Sequence, residues 1–390
     1  MRRLLDYQAD RIEAVLASHK VSARILGGVV TPRFIRFQLA PSLGTKVSRI
    51  AQLSEEMALS LGSPSCRVFR RGALINVEIP RQNPRTVRLM SLCQQLDGIP
   101  RCTAVLGLDE EGVPLLLRLS SPDVAHVLIC GTTGSGKTEL TRTMIASLAM
   151  HNRLGDLQLI LIDPKGRSYE PFARLPHLLF PPITDAEEAL DRLAWLVKEM
   201  EIRDAGGIER PRLVVFIDEL ADLMLASGRE MERVLTRLIQ RGRGAGIHVV
   251  ACTQKPTAAV IGSLVKSNFP VRLVGSVASP EDAKVAAGLA GTGAERLLGR
   301  GDFLLVFKGQ VIRLQAAYIP AKEIKELVDR LQQRKQPKAE EGELSMTKGL
   351  AGFWPGDNNP LQGGETFRQM LKRNLVRSLH LVISSLAPFI

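Results

Sequence analysis

The sequence lacks the features that mark secreted, zinc-binding and membrane-spanning proteins. Its five cysteines are odd in number and scattered without Cys-x-x-Cys spacing, which argues against a disulfide framework or a zinc site and suits a reducing cytoplasm. The first residues, Met1 to Asp6, lead into charged residues and not into the apolar segment of a signal peptide. Because no window approaches the roughly 18 apolar residues of a membrane-spanning helix, we expect a cytoplasmic chain with no membrane span.

The composition is that of an ordinary globular protein with a surplus of positive charge. Of 390 residues, 45% are apolar and 24% are charged, which excludes wholesale disorder and leaves room for two or three domains. Lys and Arg total 52 and Asp and Glu total 40, so the net charge is +12. Such a surplus favours a polyanionic partner, either nucleic acid or an anionic membrane surface. The charge alone does not decide between the two.

The hydrophobic pattern divides the chain into three parts, of which residues 1–95 are the first. A short amphipathic helix is predicted around Ile12, a half-buried strand over residues 33–39, and a second helical stripe over residues 47–61. A hairpin is predicted over residues 67–79. This mixture predicts a small α/β domain at the N-terminus.

Residues 96–320 show a different pattern, in which short apolar runs alternate with helical segments. Runs of four or five apolar residues are typical of strands buried on both faces in a parallel sheet covered by helices. Such runs occupy residues 127–130, 159–162, 213–217, 249–252 and 303–307. They predict a doubly wound α/β domain with a mostly parallel sheet.

Residues 321–390 form the third part. A helix continues to about residue 331, and a stretch rich in Lys, Glu, Gly, Asn and Pro then indicates a linker. Residues 366–385 are predicted to form a basic amphipathic helix. That helix is expected to pack against the protein or to bind DNA or a partner.

A phosphate-binding motif lies between a predicted strand and a predicted helix. An eight-residue segment fits G-x-x-x-x-G-K-[ST] at every fixed position: Gly131, Thr132, Thr133, Gly134, Ser135, Gly136, Lys137 and Thr138. The glycines let backbone N–H groups turn towards phosphates, and the helix N-terminus adds its positive dipole. We predict that Lys137 neutralises the β- and γ-phosphates of ATP and that Thr138 ligates Mg²⁺. The strand–loop–helix context distinguishes this motif from a glycine-rich turn without chemical consequence.

Polar residues at the ends of other predicted strands complete a candidate ATPase site. Asp218 follows the 213–217 run and has the position of a magnesium-site carboxylate, while Glu219 is placed to orient the water that attacks the γ-phosphate. Gln254 ends a later run, where it is predicted to contact the γ-phosphate or that water. Asp163 ends another run before a proline, and the sequence leaves open whether it serves catalysis or only a turn.

An arginine stands on a glycine-rich turn after a predicted helix. Glycines on both sides of Arg243 end that helix and leave the arginine on a tight, exposed turn. A rigid guanidinium on such a turn suits an arginine finger that reaches the γ-phosphate of a neighbouring subunit. An ordinary solvated arginine is the alternative interpretation.

Several runs of residues together resemble the motor of the FtsK/SpoIIIE DNA translocases, over roughly residues 20–320. The Asp-Glu-x-Ala-Asp run at residues 218–222, combined with Thr-Gln-Lys-Pro at residues 253–256, is far more specific than a P-loop alone. Upstream, residues 47–50 and the preceding strands resemble the small α domain of the family. The matching runs are 127–138, 163–165, 176–179, 217–224, 243–248, 251–256, 260–269 and 293–302.

The resemblance implies a hexameric ring of RecA-like domains that threads double-stranded DNA through its pore and moves it by hydrolysing ATP. Arg243 falls at the position of the trans arginine finger of the family. The resemblance also implies basic positions near the pore loops that contact DNA phosphates regardless of base sequence: Lys255, Lys266 and Lys284.

The sequence departs from the family pattern in three places. Ala278-Ser279-Pro280 puts proline where the family often has lysine, no transmembrane region is expected before the motor, and no winged-helix domain is evident after Ile319. We therefore predict a cytoplasmic, ring-forming, ATP-dependent motor on double-stranded DNA. The alternatives are a type VII secretion-like ATPase that moves protein, and a DNA-binding protein switched by nucleotide without hydrolysis.

Overall fold

The computed structural model describes residues 2–254 and 268–335. Within these ranges the chain forms a small N-terminal unit and a larger unit built on a nine-stranded sheet. Two predicted DNA-contacting residues, Lys255 and Lys266, and the predicted helix over residues 366–385 lie outside the described residues. None of the helices in the described ranges is both long and apolar enough to cross a membrane.

The N-terminal unit combines short helices with an antiparallel sheet. Its described elements are α1 (Arg2–Ser18), β1 (Ala23–Val30), β2 (Phe34–Pro41), α2 (Val47–Gln52), α3 (Ser54–Ser60), β3 (Arg67–Arg71) and β4 (Leu74–Pro80). The strand order is β1-β2-β4-β3. The stripe predicted over residues 47–61 is divided between α2 and α3, because the backbone leaves helical geometry at Leu53 (φ −88°, ψ 15°).

Strand β4 shows that the two faces of this sheet have different surroundings. Ile75, Val77 and Ile79 alternate with Asn76 and Glu78, and all five side chains are buried. The aliphatic face packs with α1, α2 and α3 in a core of its own. Because successive strand residues point to opposite faces, Asn76 and Glu78 lie on the other face, where Glu78 contacts Arg313 of the larger unit.

The larger unit begins after a linker at residues 81–88. Its described elements are α4 (Leu89–Gln94), β5 (Thr103–Asp109), β6 (Pro114–Arg118), β7 (Val127–Cys130), α5 (Lys137–His151), β8 (Leu157–Ile162), α6 (Ala186–Gly206), β9 (Arg212–Ile217), α7 (Leu220–Arg241), β10 (Ile247–Thr253), β11 (Val271–Val274), α8 (Pro280–Ala287), β12 (Asp302–Phe307), β13 (Gln310–Ala316) and α9 (Ala321–Lys335).

The nine-stranded sheet is mixed, in the order β6-β5-β13-β12-β11-β7-β10-β9-β8. The five strands from β11 to β8 run parallel, whereas β12, β13, β5 and β6 pair antiparallel. All five predicted runs are strands, and the predicted α/β class is confirmed. The antiparallel extension was missed because Gly107 and Arg313 interrupt the apolar runs of β5 and β13, and β6 contributes only a run of leucines between Pro114 and Arg118.

Helices cover both faces of this sheet and create two hydrophobic cores. Helices α4, α5 and α9 pack on one face, and α6, α7 and α8 pack on the other. Helix α6 ends at Gly206 and is capped by Gly207, which adopts a left-handed φ of 63°. The backbone of α7 is interrupted at Gly228 (φ 49°, ψ −127°), a conformation that favours glycine.

The core of the larger unit extends beyond both predicted domain boundaries. Leu89 and Leu92 of α4, together with Ile324 and Val328 of α9, are buried in the same core as the sheet. Boundaries at residues 95 and 320 would separate both helices from the strands on which they pack. We therefore propose that the first boundary lies in the 81–88 linker and that α9 belongs to the larger domain.

A buried ion cluster joins the polar face of the small sheet to the larger unit. Glu78 accepts hydrogen bonds from Arg36 at 3.1 Å and from Arg313 of β13 at 2.5 Å. Arg313 also pairs with Asp302 at 2.8 Å, and Arg36 pairs with Glu110 at 3.2 Å. Because an unpaired buried charge is costly, these pairs fix how the two units meet.

Two buried histidines lie where β7 and β10 begin. The Val249 N–H donates to His126 Nδ1 at 3.0 Å, and His248 Nδ1 donates to the Ala125 carbonyl at 2.9 Å. Burial lowers the pKa of His126 to about 3 and the pKa of His248 to about 4. Both rings are therefore neutral in the folded protein at pH values where an unfolded histidine gains a proton.

Acid should destabilise the fold through these two residues. Below an unfolded pKa of about 6.5 the unfolded chain binds protons that the folded chain rejects, so each ring should remove about 2 kcal/mol of unfolding free energy between pH 7.5 and pH 5. Between pH 7.5 and pH 5, the unfolding free energy of His248→Gln should therefore fall by about 2 kcal/mol less than that of wild type. Urea titrations at both pH values measure this difference. The exposed control His19→Gln should behave like wild type. Equal pH dependence in His248→Gln and wild type would contradict this account.

Candidate nucleotide-binding site

The glycine-rich segment forms a loop between β7 and α5, at the carboxyl edge of the parallel strands. Strand β7 is flanked by β10 and β11, so its end is surrounded by the ends of other parallel strands. Gly131, Gly134 and Gly136 adopt φ values of 153°, 84° and 101°. Gly136 is the N-cap of α5, and the first N–H groups of a helix have no intrahelical partner. The loop therefore places backbone donors at a helix N-terminus, the arrangement that binds phosphate.

Backbone hydrogen bonds hold this loop from two sides. On one side the Thr132 N–H donates to the Ser276 carbonyl at 2.7 Å. On the other side the Arg300 N–H donates to the Gly134 carbonyl at 2.9 Å and the Gly301 N–H donates to the Ser135 carbonyl at 2.7 Å. The sequence motif did not reveal these supports, because they come from segments more than 140 residues away.

Lys137, the lysine of the motif, folds back over the loop. Its side chain is only 8% exposed. Its Nζ donates to the Gly131 carbonyl at 2.6 Å and to the Thr132 carbonyl at 3.2 Å. Burial lowers the pKa of Lys137, while the nearby carboxylates of Asp218 and Glu219 oppose that shift.

The two carboxylates predicted at the end of β9 occupy neighbouring but different environments. Asp218 Oδ2 accepts a hydrogen bond from the Ser168 hydroxyl at 2.9 Å. Glu219 is 3% exposed, and its oxygens accept from the Gln254 N–H at 3.2 Å and the Ala221 N–H at 3.4 Å. Glu219 is thereby both a carboxylate of the site and the N-cap of α7.

Burial raises the pKa of both carboxyl groups. For Asp218 the hydrogen bond from Ser168 partly offsets that rise, whereas the charge of Asp163 adds to it. For Glu219 hydrogen bonds from Thr253 and Gln254 are the main opposing influence. A carboxylate with a raised pKa is a stronger base, which suits a group that polarises water.

Gln254 connects the acidic side of the site to the glycine-rich loop. Its side-chain Oε1 accepts a hydrogen bond from the Thr133 hydroxyl at 2.9 Å, and its N–H donates to Glu219. Strand β10, which Gln254 follows, lies between β7 and β9 in the sheet. Gln254 therefore bridges the two halves of the site.

Asp163 organises the turn that supplies Ser168. Its Oδ2 accepts from the Ser168 N–H at 2.6 Å and from the Tyr169 N–H at 3.2 Å. Arg142 of α5 donates to the Ser168 carbonyl at 2.7 Å from the other side. Asp163 thus forms a turn, and that turn positions Ser168 against Asp218.

Ser168 and Arg142 are the members of this site that sequence reasoning missed. No motif marks either residue, and the only hint was the Asp-Pro-Lys run just before Ser168. Lys165 of that run pairs with Asp222 at 3.2 Å. Two short runs that looked separate in the sequence are thus held together in space.

A cavity of about 580 Å³ opens beside the loop, within the range of small-molecule sites. The predicted residues that line it are Thr133, Gly134, Gly136, Lys137, Thr138, Asp218 and Gln254. Glu219 follows Asp218 in the chain and is not among the lining residues. Two other predicted site residues are elsewhere: Arg243 donates to the Pro122 carbonyl at 2.8 Å on the surface, and Lys284 is exposed on α8.

A phosphate loop after a buried parallel strand, with an adjacent acidic pair and a cavity of this size, is the arrangement of a P-loop nucleotide-binding domain. The sequence profile of the FtsK/SpoIIIE family matches residues 98–206 and 203–258, and that of the FtsK alpha domain matches residues 2–81. The chain belongs to the FtsK/SpoIIIE family.

Individual relatives agree with this assignment. The DNA translocase FtsK of Leptospira interrogans is 34% identical over 356 residues, which cover 83% of this chain and 37% of that protein. The chain thus spans little more than a third of the length of that relative.

Two solved structures share the fold. The conjugation coupling protein TcpA of pCW3, solved with ATPγS, has a TM-score of 0.59 at 18% identity, over 85% of this chain and all of the other. The cytoplasmic domain of the type VII secretion ATPase EccC of Thermomonospora curvata has a TM-score of 0.56 at 24% identity, over 63% of this chain and 34% of the other. At these identities the likeness concerns the fold alone.

The fold should tolerate an added methyl group at Gly134 better than at Gly136. Both residues have positive φ, so alanine should cost about 1–2 kcal/mol of unfolding free energy at either position. At Gly136 a Cβ would also lie 2.7 Å from Gly301 N, whereas at Gly134 it would meet nothing within 4 Å. Gly136→Ala should therefore cost about 1 kcal/mol more than Gly134→Ala in urea unfolding. Equal costs would show that the Gly301 contact does not confine the loop.

Proposed function

We propose that this chain is the motor of a ring-forming, ATP-dependent translocase of double-stranded DNA in the cytoplasm. The observation that carries the proposal is the acidic pair beside the phosphate loop. Asp218 lines the same cavity as Lys137, and Glu219 is held next to it by the backbone of Gln254. These are the groups that ATP hydrolysis requires, and they occur in a chain that is similar to a DNA translocase.

The phosphate loop would hold the triphosphate by its backbone N–H groups and by Lys137. The Lys137 ammonium now donates to two carbonyl oxygens of the loop, which are neutral partners. A phosphate oxygen is a stronger, charged acceptor, so Lys137 would turn to the β- and γ-phosphates. No carboxylate competes for it by direct hydrogen bond among the described residues.

Thr138 and Asp218 would hold Mg²⁺ together with the phosphates. Magnesium sites in such enzymes use one or two protein oxygens, substrate phosphates and waters. The Thr138 hydroxyl and the Asp218 carboxylate both belong to residues that line the cavity, and Ser168 fixes one Asp218 oxygen. No cluster of three or more metal-binding side chains is found in the described ranges, so the donor set fits an ion that depends on phosphate. The bound ion would neutralise charge on the phosphates.

Glu219 would orient and polarise the attacking water, with Gln254 beside it. Burial has raised the pKa of Glu219, which increases its basicity. Gln254 contacts the tip of the phosphate loop through Thr133. It is therefore suited to contact the γ-phosphate or the attacking water.

Arg243 would act on the nucleotide of the next subunit. It lies on the surface turn that follows α7, where it donates to Pro122. Among the described residues that line the cavity of its own chain, Arg243 is absent. Such an arginine reaches a nucleotide only across a subunit boundary, which makes hydrolysis dependent on assembly into a ring. A hexamer is the ring that the family resemblance implies.

DNA would be held through its phosphates. The net charge of +12 and the exposed position of Lys284 suit a grip that is independent of base sequence. Lys255 and Lys266 are proposed to contribute to the same grip.

DNA should stimulate ATP hydrolysis, and salt should abolish the stimulation. A linear duplex added to the purified chain at about 50 mM salt should raise the rate of phosphate release several-fold, and the effect should vanish by about 300 mM salt because phosphate contacts are lost.

Glu219→Gln should bind ATP but hydrolyse it at least about 100-fold more slowly. The exposed carboxylate variant Glu187→Gln serves as the matched control and should retain the wild-type rate.

Two results would contradict the proposal. Hydrolysis that is indifferent to duplex at low salt would favour an ATPase that moves protein. Absence of turnover in wild type, with ATP binding intact, would favour a nucleotide-switched DNA-binding protein.

The trans role of Arg243 should appear in mixed rings. Arg243→Ala and Lys137→Ala should each be inactive alone. Mixed in equal amounts, they should recover activity, because about a quarter of the interfaces would pair an intact loop with an intact arginine. The neighbouring variant Arg241→Ala should stay active, since Arg241 pairs with Asp204. Mixtures as inactive as either parent would place Arg243 in cis.

A further inference from the structure

Arg142 lies on helix α5 about one turn after Thr138, and it ties this helix to the turn before Ser168. The Arg142 side chain is 17% exposed, and each of its three nitrogens has a partner. Nε donates to the Ser168 carbonyl at 2.7 Å, and Nη2 donates to the Arg167 carbonyl at 3.1 Å. Nη1 pairs with Glu139 at 3.3 Å. Because a guanidinium presents its donors in one rigid plane, Arg142 holds this turn at a set distance from α5.

Ser168 connects three elements through its three polar groups. Its N–H donates to Asp163 Oδ2, after β8, at 2.6 Å. Its carbonyl accepts from Arg142 of α5, and its hydroxyl donates to Asp218 Oδ2, after β9, at 2.9 Å. The residue is only 8% exposed. A buried serine that is bonded at all three groups has little freedom to move, so it transmits the position of α5 to the Asp218 carboxylate.

The hydrogen bond from Ser168 distinguishes the two oxygens of Asp218. It occupies Oδ2. Within residues 2–254 and 268–335, no hydrogen bond to Oδ1 is found, and Asp218 lines the cavity beside the phosphate loop. Oδ1 is therefore the oxygen that a cation can take without breaking a bond within the protein.

We propose that Arg142 and Ser168 are positioning residues that fix Asp218 relative to Thr138, so that helix α5 sets the places of both protein ligands of the metal ion. The inference rests on the proposed function, which assigns Thr138 and Asp218 to Mg²⁺. Neither Arg142 nor Ser168 lines the cavity, so both act through Asp218. Magnesium demands near-ideal ligand geometry, and residues that orient metal ligands commonly contribute about 10- to 100-fold to metal affinity.

The test measures how much Mg²⁺ strengthens the binding of ATPγS. Calorimetric titrations of the full chain in Mg²⁺ and in EDTA give two dissociation constants. By linkage, the ratio of the EDTA value to the Mg²⁺ value measures how much more tightly the ion binds to protein-bound than to free nucleotide. Ser168→Ala should lower this ratio about tenfold and leave the dissociation constant in EDTA within about twofold of wild type. Ser168→Thr keeps the hydroxyl and should restore most of the ratio.

A double variant separates a relay from two independent contacts. Arg142→Gln should lower the ratio about threefold. Combined with Ser168→Ala, it should cause no further loss, because Arg142 acts only through the turn that carries Ser168. The matched control is Ser147→Ala, which removes another buried hydroxyl of α5, one that donates to the Met144 carbonyl at 3.0 Å. That variant should keep the wild-type ratio.

Asp218→Asn distinguishes failure of the inference from failure of the proposed function. If Asp218→Asn lowers the ratio while Ser168→Ala and Arg142→Gln keep it, the inference is overturned and the proposed metal site stands. A double variant whose loss is the product of the two single losses would overturn the relay. If Asp218→Asn keeps the wild-type ratio, Asp218 does not hold the ion and both fail.

Discussion

The confinement of the phosphate loop by backbone hydrogen bonds is the constraint on which the rest of the site depends. Phosphate recognition by N–H groups needs a loop whose shape is set before the ligand arrives. Here the shape is held by the Ser276 carbonyl on one side and by the Arg300 and Gly301 N–H groups on the other. Gly275 and Gly301 have no side chains, and a Cβ at Gly275 would lie 2.8 Å from Ser135. The glycines outside the motif therefore matter as much as those inside it.

Buried carboxylates are held in different ways at the nucleotide site and at the boundary between the two units. At the nucleotide site, Asp218 and Glu219 are stabilised mainly by hydrogen bonds from a serine hydroxyl and backbone N–H groups, and burial still raises their pKa values. At the domain boundary, Glu78 is neutralised by two arginines. The first arrangement keeps carboxylates basic and suited to chemistry. The second removes their reactivity and fixes the geometry of two units.

Much of this architecture follows from the sequence, and the exceptions have physical causes. The strands at residues 127–130 and 213–217 were predictable because strands covered on both faces need unbroken apolar runs, and the motif at Lys137 carries its own context. Strands β5, β6 and β13 were missed, and in β13 the cause is Arg313, which is buried only because it is paired with Glu78 and Asp302. Ser168 was missed because its role arises from a turn that Asp163 folds, and no local pattern encodes the meeting of that turn with Asp218.

Helix α7 is capped at its N-terminus by the side chain of Glu219. It ends at Arg241, immediately before the turn that carries Arg243. The kink at Gly228 (φ 49°, ψ −127°) divides this segment into two helical parts. Under the proposed function, the Glu219 end would act on the nucleotide of its own subunit and the Arg243 end on that of the next subunit. One helix would then connect two neighbouring nucleotide sites. A change of backbone angle at Gly228 would alter the position of Arg243 relative to Glu219.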